Sequence, residues 1–403
     1  MKFTKMSLVA ALLVGSSAFA IENVKVSGDA KLYYSTTQDT FDMFSKEASA
    51  GQAAASVSVS GDLTKGISFG SKATALSTLG LQGQLVNNVW EGTNAVSDSY
   101  IVNDLWLAGT VGKTTGKIGR MELDTPLVFT EKWSIVENTF EAAVVINQDI
   151  PNTTLVGAYV GGSNGSHNGS ANGGHAAGIA NVVDTTANET TFTQFWNGAY
   201  AVGAINNSVE DLTLQAWYYQ ATKIATAFWL QADVAKKGFM GGLQVTSTDL
   251  TNATSGALSA ATAVAVMGGY EMKDVVTVKL AYSMVSDDNA DVRADWVGGA
   301  GFNLSGTNQS KLYTEAWWNY GYITSADTTS INLTVESPVK GIVDLGLYAT
   351  MADNGTDDTR DMTEVTVTAS KTFGPLDATA AVIYADVNDN QSGTLQAYLT
   401  YNF

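Results

Sequence analysis

The chain has no cysteine, which excludes a disulfide framework and any thiolate chemistry. Only two histidines occur, His167 and His175. Both lie in a Gly/Ser/Asn-rich stretch with no serine motif around them, so a hydrolase triad has no base to draw on. Arginine is confined to Arg120, Arg293 and Arg360. The longest apolar run, Leu258 to Tyr270, is 13 residues and includes Ser259, Thr262 and two glycines, which is too short and too interrupted for a membrane helix. Four prolines against 39 glycines suit many strands joined by turns. A formal charge of −18 argues against nucleic-acid partners and favours cations.

What is present begins with an export signature. Lys2 and Lys5 precede an apolar run from Met6 to Val14, and Gly15-Ser16-Ser17-Ala18-Phe19-Ala20 fits the small-residue cleavage rule. Residues 1–20 are expected to leave as a signal peptide, and 21–403 to form a single domain. Losing Lys2 and Lys5 takes the charge from −18 to −20. With no disulfides, an exported chain needs another source of stability, and a closed, fully hydrogen-bonded sheet provides one.

Alternation starts at once. Val24, Val26, Gly28, Ala30, Leu32 and Tyr34 share one face, and Lys25, Ser27, Asp29 and Lys31 the other. Similar patterns follow over 55–63, 67–75, 103–111, 115–121, 139–147, 153–161, 199–205, 211–220, 224–234, 239–247, 263–271 and 275–285. They continue over 296–304, 310–322, 328–337, 343–352, 362–373, 376–387 and 394–403, about twenty strands in all. Short turns such as Lys236-Lys237-Gly238 alternate with longer polar stretches such as 162–197, 286–295 and 353–361, the arrangement of an up-and-down barrel with its long loops outside the cell. The rows Phe228-Leu230-Ala232-Val234 and Val276-Val278-Leu280-Tyr282-Met284 carry no charge, while Asp233, Lys279 and Glu315 fall on the opposite phase. Since charge facing lipid is costly, the polar face is the lumen. Paired aromatics near segment ends, Tyr218-Tyr219, Phe228-Trp229 and Trp317-Trp318, fit interfacial girdles. The fold class is therefore all-β, a transmembrane antiparallel barrel.

The last residues, Leu395 to Phe403, place Leu399, Tyr401 and Phe403 on one apolar face. This tail resembles the C-terminal assembly signal of outer-membrane β-barrels. One block breaks the rhythm: Gly119-Arg120, Asp124-Thr125-Pro126-Leu127 and Asn138-Thr139-Phe140-Glu141 resemble the sequence around the inward-folding third loop of OprD-type porins. The likeness is closer to the campylobacter-type major outer-membrane porins of the same broad group. The resemblance implies about 18 strands, within 16–20, and a third loop that narrows the pore. It also implies passive diffusion of small hydrophilic solutes and ions, and a homotrimer.

The constriction residues that follow are Arg120, Glu122, Asp124, Glu131, Lys132, Glu137 and Glu141, with Arg120 and Lys132 opposing the carboxylates. One feature departs from the group. Channels of this kind that take carboxylated solutes line the lumen with arginines, and three arginines make no ladder. General diffusion biased towards cations is the expectation, with an adhesin acting through long external loops as the alternative. The implied partners are outer-membrane lipid and lipopolysaccharide, the barrel-assembly machinery, and solutes. No cofactor is expected. The oxygen-rich stretches 287–291, 353–358 and 386–390 are candidates for Ca²⁺, although none has EF-hand spacing.

Overall fold

The computed structural model describes residues 21–38, 40–77, 79–80, 99–131, 135–163, 193–222, 225–250, 259–288, 299–304 and 309–403. The expected signal peptide at 1–20, Lys132, and the two histidines lie outside them. Eighteen strands form one sheet. In chain order they are β1 Glu22–Gln38, β2 Ser49–Thr64, β3 Ile67–Ser77, β4 Ser99–Val111, β5 Thr114–Met121 and β6 Phe140–Asn147. Next come β7 Thr153–Ser163, β8 Thr193–Asn206, β9 Leu212–Ala221, β10 Ala225–Lys236, β11 Phe239–Leu250 and β12 Ala261–Met272. The last are β13 Val276–Val285, β14 Thr328–Val339, β15 Val343–Asn354, β16 Met362–Phe373, β17 Leu376–Val387 and β18 Asn390–Asn402.

Each strand pairs antiparallel with its sequence neighbours, and β1 closes the barrel on β18 with Leu32 opposite Leu399 and Ala30 opposite Tyr401. Closure leaves no edge, which is what lipid requires of a sheet. The tail is fixed by two further bonds: the Gly28 amide donates to the Phe403 carbonyl (2.8 Å), and the Phe403 amide donates back to Gly28 (2.9 Å). A Cβ at Gly28 would run into the Phe403 ring, so glycine here makes room for the terminal aromatic. Tight turns follow their chemistry: Asn388 and Asp389 both take positive φ (53° and 58°), the geometry of a two-residue hairpin.

The outer surface carries exposed apolar rows at period two, among them Leu105-Leu107, Leu230-Val234, Val278-Leu280-Tyr282 and Val365-Val367. The opposite phase faces an interior that is largely covered. Of two sequence-expected strands, 296–304 and 310–322, the residues described, 299–304 and 310–322, are not in the wall, while 296–298 lie outside the described residues. Those described belong to the segment between β13 and β14 and lie inside the barrel. Residues 311–316 show why alternation misleads here: Leu312, Thr314 and Ala316 are buried against the wall, whereas Lys311 and Tyr313 are only partly covered. An extended segment lying on an inner wall has the same period as a strand within it.

A constriction built from two insertions

The first insertion leaves the wall after Met121 and returns at Phe140, residues paired across β5 and β6 and both fully buried. Its tip is a tight hairpin. Thr125 Oγ1 donates to the Val128 carbonyl (2.7 Å), the Thr130 amide donates to Leu123 (2.8 Å), and Asp124 bridges Phe129. Leu127, Val128 and Phe129 are buried at that tip. The Leu127 amide lies 3.4 Å from the Tyr219 hydroxyl on the inner face of β9, so the loop reaches well into the barrel.

The second insertion meets it there. The Leu304 amide donates to the Leu127 carbonyl (2.9 Å), and Asn303 Nδ2 donates to the Phe129 carbonyl (2.9 Å) and to Glu131 Oε1 (3.0 Å). Lys311 forms an ion pair with Asp124 and lies over the Phe129 ring, 4.8 Å from its centroid. Wall residues anchor the remainder of the segment. Gln244 of β11 accepts from the Tyr313 amide (3.0 Å) and donates to the Lys311 carbonyl (2.9 Å). The hydroxyls of Ser283 on β13 and Thr314 are 2.6 Å apart. Glu364 of β16 accepts from the amides of Trp318 (3.0 Å) and Asn319 (2.7 Å). A buried carboxylate satisfied by amide donors is a rigid staple.

Opposite, the first insertion is clamped to the β1–β3 wall. Glu137 accepts from Lys31 (2.8 Å) and Lys72 (2.9 Å), with its side chain 13% exposed. Burial works against the Glu137 charge, but Lys72 and Lys31 outweigh it and hold the carboxyl down at about 2. Asp104, Lys117 and Glu122 lie within electrostatic reach of this clamp, and Lys117 sits over the Trp106 ring at 4.2 Å. Glu315 is in the contrary situation. Burial pushes its carboxyl up to about 8 despite hydrogen bonds from the Ser310 amide and Gln309, and Glu131 nearby pushes it further in the same direction.

The sequence-derived residues therefore separate. Glu122, Asp124, Glu131 and Glu137 lie in the inward-folded segment; Asp124 pairs with Lys311, Glu131 accepts from Asn303, and Glu137 is held by Lys31 and Lys72. Arg120 stands opposite Leu105 and Glu141 across the strands, on the outward row with Ile118, and its Nη2 pairs with Glu141 Oε1 (3.0 Å). The reason is parity. β5 continues through Met121, so period two turns Arg120 away from the lumen. The sequence reading did not single out Lys31, Lys72, Asn303 or Lys311, which hold the inward-folded segment. The two wall lysines were already on the lumen phase, whereas nothing local marks Asn303 or Lys311. Among the described residues no group of three or more metal-ligating side chains converges.

A closed barrel with an apolar exterior and a polar, constricted interior defines the class: an outer-membrane β-barrel of bacterial type. Its fold is that of Pseudomonas aeruginosa OccK3 (OpdO), with TM-score 0.69 and 12% identity over 97% of this chain and 99% of that one. P. aeruginosa OpdK, solved with vanillate, gives TM-score 0.71 and 14% identity over 94% and 98%. Acinetobacter baumannii OccAB1 gives 0.70 and 12% over 95% and 97%. These are OprD-type outer-membrane porins, channels for small solutes and not enzymes. At such identities the likeness is one of fold. No protein-family model matches the sequence, and no curated protein does.

Proposed function

We propose that this chain is a general-diffusion porin with a preference for cations, of the campylobacter major outer-membrane type, assembled as a homotrimer after loss of residues 1–20. Its constriction comprises Glu122, Asp124, Glu131 and Glu137 with their partners, and its surroundings are outer-membrane lipid and lipopolysaccharide. The observation that carries the cation preference is how the inward carboxylates are satisfied. On the β10–β16 side, Asp233 is held by Tyr313 and Gln231, Glu336 by Tyr348, and Glu364 by amides. None of these partners is basic, so the negative charge remains. By contrast, Glu137 and Asp124 are paired with lysines. Where a pore is no wider than the Debye length of about 8–10 Å, uncompensated wall charge concentrates counter-ions.

Reversal potentials in planar bilayers across a KCl gradient test this reading. The wild type is expected to favour K⁺. Asp233→Asn with Glu336→Gln should shift it towards neutrality, and the pair removal Asp124→Asn with Lys311→Met should shift it little. An anion-selective wild type, or an Asp233/Glu336 variant with unchanged selectivity, would refute it.

A further inference from the structure

The outer wall carries charge where lipid offers nothing to hold it. Arg120 and Glu141 share the outward row with Leu105, Leu107 and Ile118, of which Leu105 and Ile118 are each 62% exposed. Leu105 stands six residues before Val111, the end of β4 at its short turn. At about 3.3 Å per residue along a strand tilted by roughly 40°, that places the pair about 15 Å above the turn, near the middle of an apolar band about 25 Å tall. A basic side chain on the lipid face is most costly at that depth. Arg120 also donates to the Val102 carbonyl (2.8 Å), but its side chain remains 24% exposed and that of Glu141 49%. The far wall is different. The outward rows Val278-Leu280-Tyr282, Ile331-Leu333-Val335 and Leu347-Ala349-Met351 have no charged member.

We propose that the outer face of β4, β5 and β6, centred on the Arg120–Glu141 pair, is the contact surface for a second copy of this chain. This rests on the homo-oligomer reading above and assigns it to one part of the wall. Acyl chains neither donate to a carboxylate nor accept from a guanidinium, whereas a protein surface does both. The patch carries one charge of each sign, so identical copies in a closed ring can set Glu141 of one against Arg120 of the next. It also lies where the wall is lowest, since β5 and β6 have 8 residues each and every other strand is longer.

The absence of cysteine makes the test clean. Single variants Ile118→Cys and Leu107→Cys on the patch, with Leu280→Cys and Met351→Cys on the far wall, are treated with a short bismaleimide in native outer membranes. The patch variants should give an adduct of twice the chain mass, and the far-wall variants none. Adding Arg120→Glu to Ile118→Cys should lower the adduct at least threefold. An oligomer by native mass that cross-links only through 280 or 351 would overturn the location while leaving the oligomer intact, and a monomer in lipid nanodiscs would overturn both. An undiminished adduct with Arg120→Glu would overturn the part given to the ion pair.

Discussion

Replacing Glu315 with glutamine probes how the second insertion is held. The carboxyl is pushed up to about 8 from an ordinary 4.5, chiefly by burial. An acid whose folded pKa is raised contributes its full stability below the ordinary value and loses it as pH rises through the folded one. For Glu315 the docked insertion is therefore most secure below pH 4.5 and weakens up to pH 8. At pH 7 the undocked residue is ionised and docking must bind a proton, a cost of about 3 kcal/mol at 1.36 kcal/mol per pKa unit. Glutamine avoids that cost, and its Oε1 can still accept from the Ser310 amide, 3.4 Å from the carboxylate in the native chain.

The assay is single-channel conductance and open-channel noise from pH 5 to 9. Because the insertion packs against the first one, its loosening should appear as noise that rises with pH in the wild type. Glu315→Gln should be quiet and nearly flat over that range. Glu131, Asp124 and Lys311 also lie close by, so Glu131→Gln serves as a comparison and should keep a rising profile. A Glu315→Gln channel that follows the wild-type curve, or a wild type with no pH response, would refute the argument.

Two further outcomes follow from the clamp and the tail. Glu137→Gln leaves Lys31 and Lys72 facing each other without their shared carboxylate; removing one partner of a buried ion pair costs about 3–5 kcal/mol, and trypsin should cut the first insertion of the detergent-solubilised barrel where the wild type resists. Deleting Phe403 removes two backbone bonds and the ring over Gly28, and Leu399→Asp puts a carboxylate on the lipid row; either should abolish the heat-modifiable band in outer-membrane fractions, and wild-type levels would contradict the closure described here.

Period-two patterning carried the wall because every transmembrane strand separates lipid from lumen, and Leu230 against Gln231 is enough to tell the faces apart. The same rule overcounted at 296–304 and 310–322, since Leu312, Thr314 and Ala316 alternate against an inner wall as a strand does against a core. Parity also decides Arg120. The expected strand 115–121 sets it on the row of Ile118, facing out, whereas the resemblance to an inward-folding third loop set it in the pore, and the wall decides for the strand. Gln396 was legible as inward-facing, yet it is fully buried, with its Oε1 taken by Tyr398 (3.3 Å). Lumen-facing is therefore not the same as solvated, and Gln396→Glu should be poorly tolerated. Contacts such as Asn303 to Glu131 join residues far apart in the chain, and no local pattern encodes them.

The constriction sets two demands against each other. A loop that must hold its place inside a wide barrel needs its charges matched, because an unmatched carboxylate packed against a wall weakens the packing. A filter needs charge that no opposite charge cancels. Glu137 between two lysines and Asp124 on Lys311 meet the first demand, and in meeting it they give up much of their field. Asp233 and Glu336, on rigid strands, meet the second: tyrosine hydroxyls satisfy their hydrogen bonds without cancelling their charge. On the proposed cation preference, shape and selectivity rest on different residues, so changes at 124 and 137 should alter conductance and noise, while changes at 233 and 336 should alter ion preference in a pore of nearly constant size.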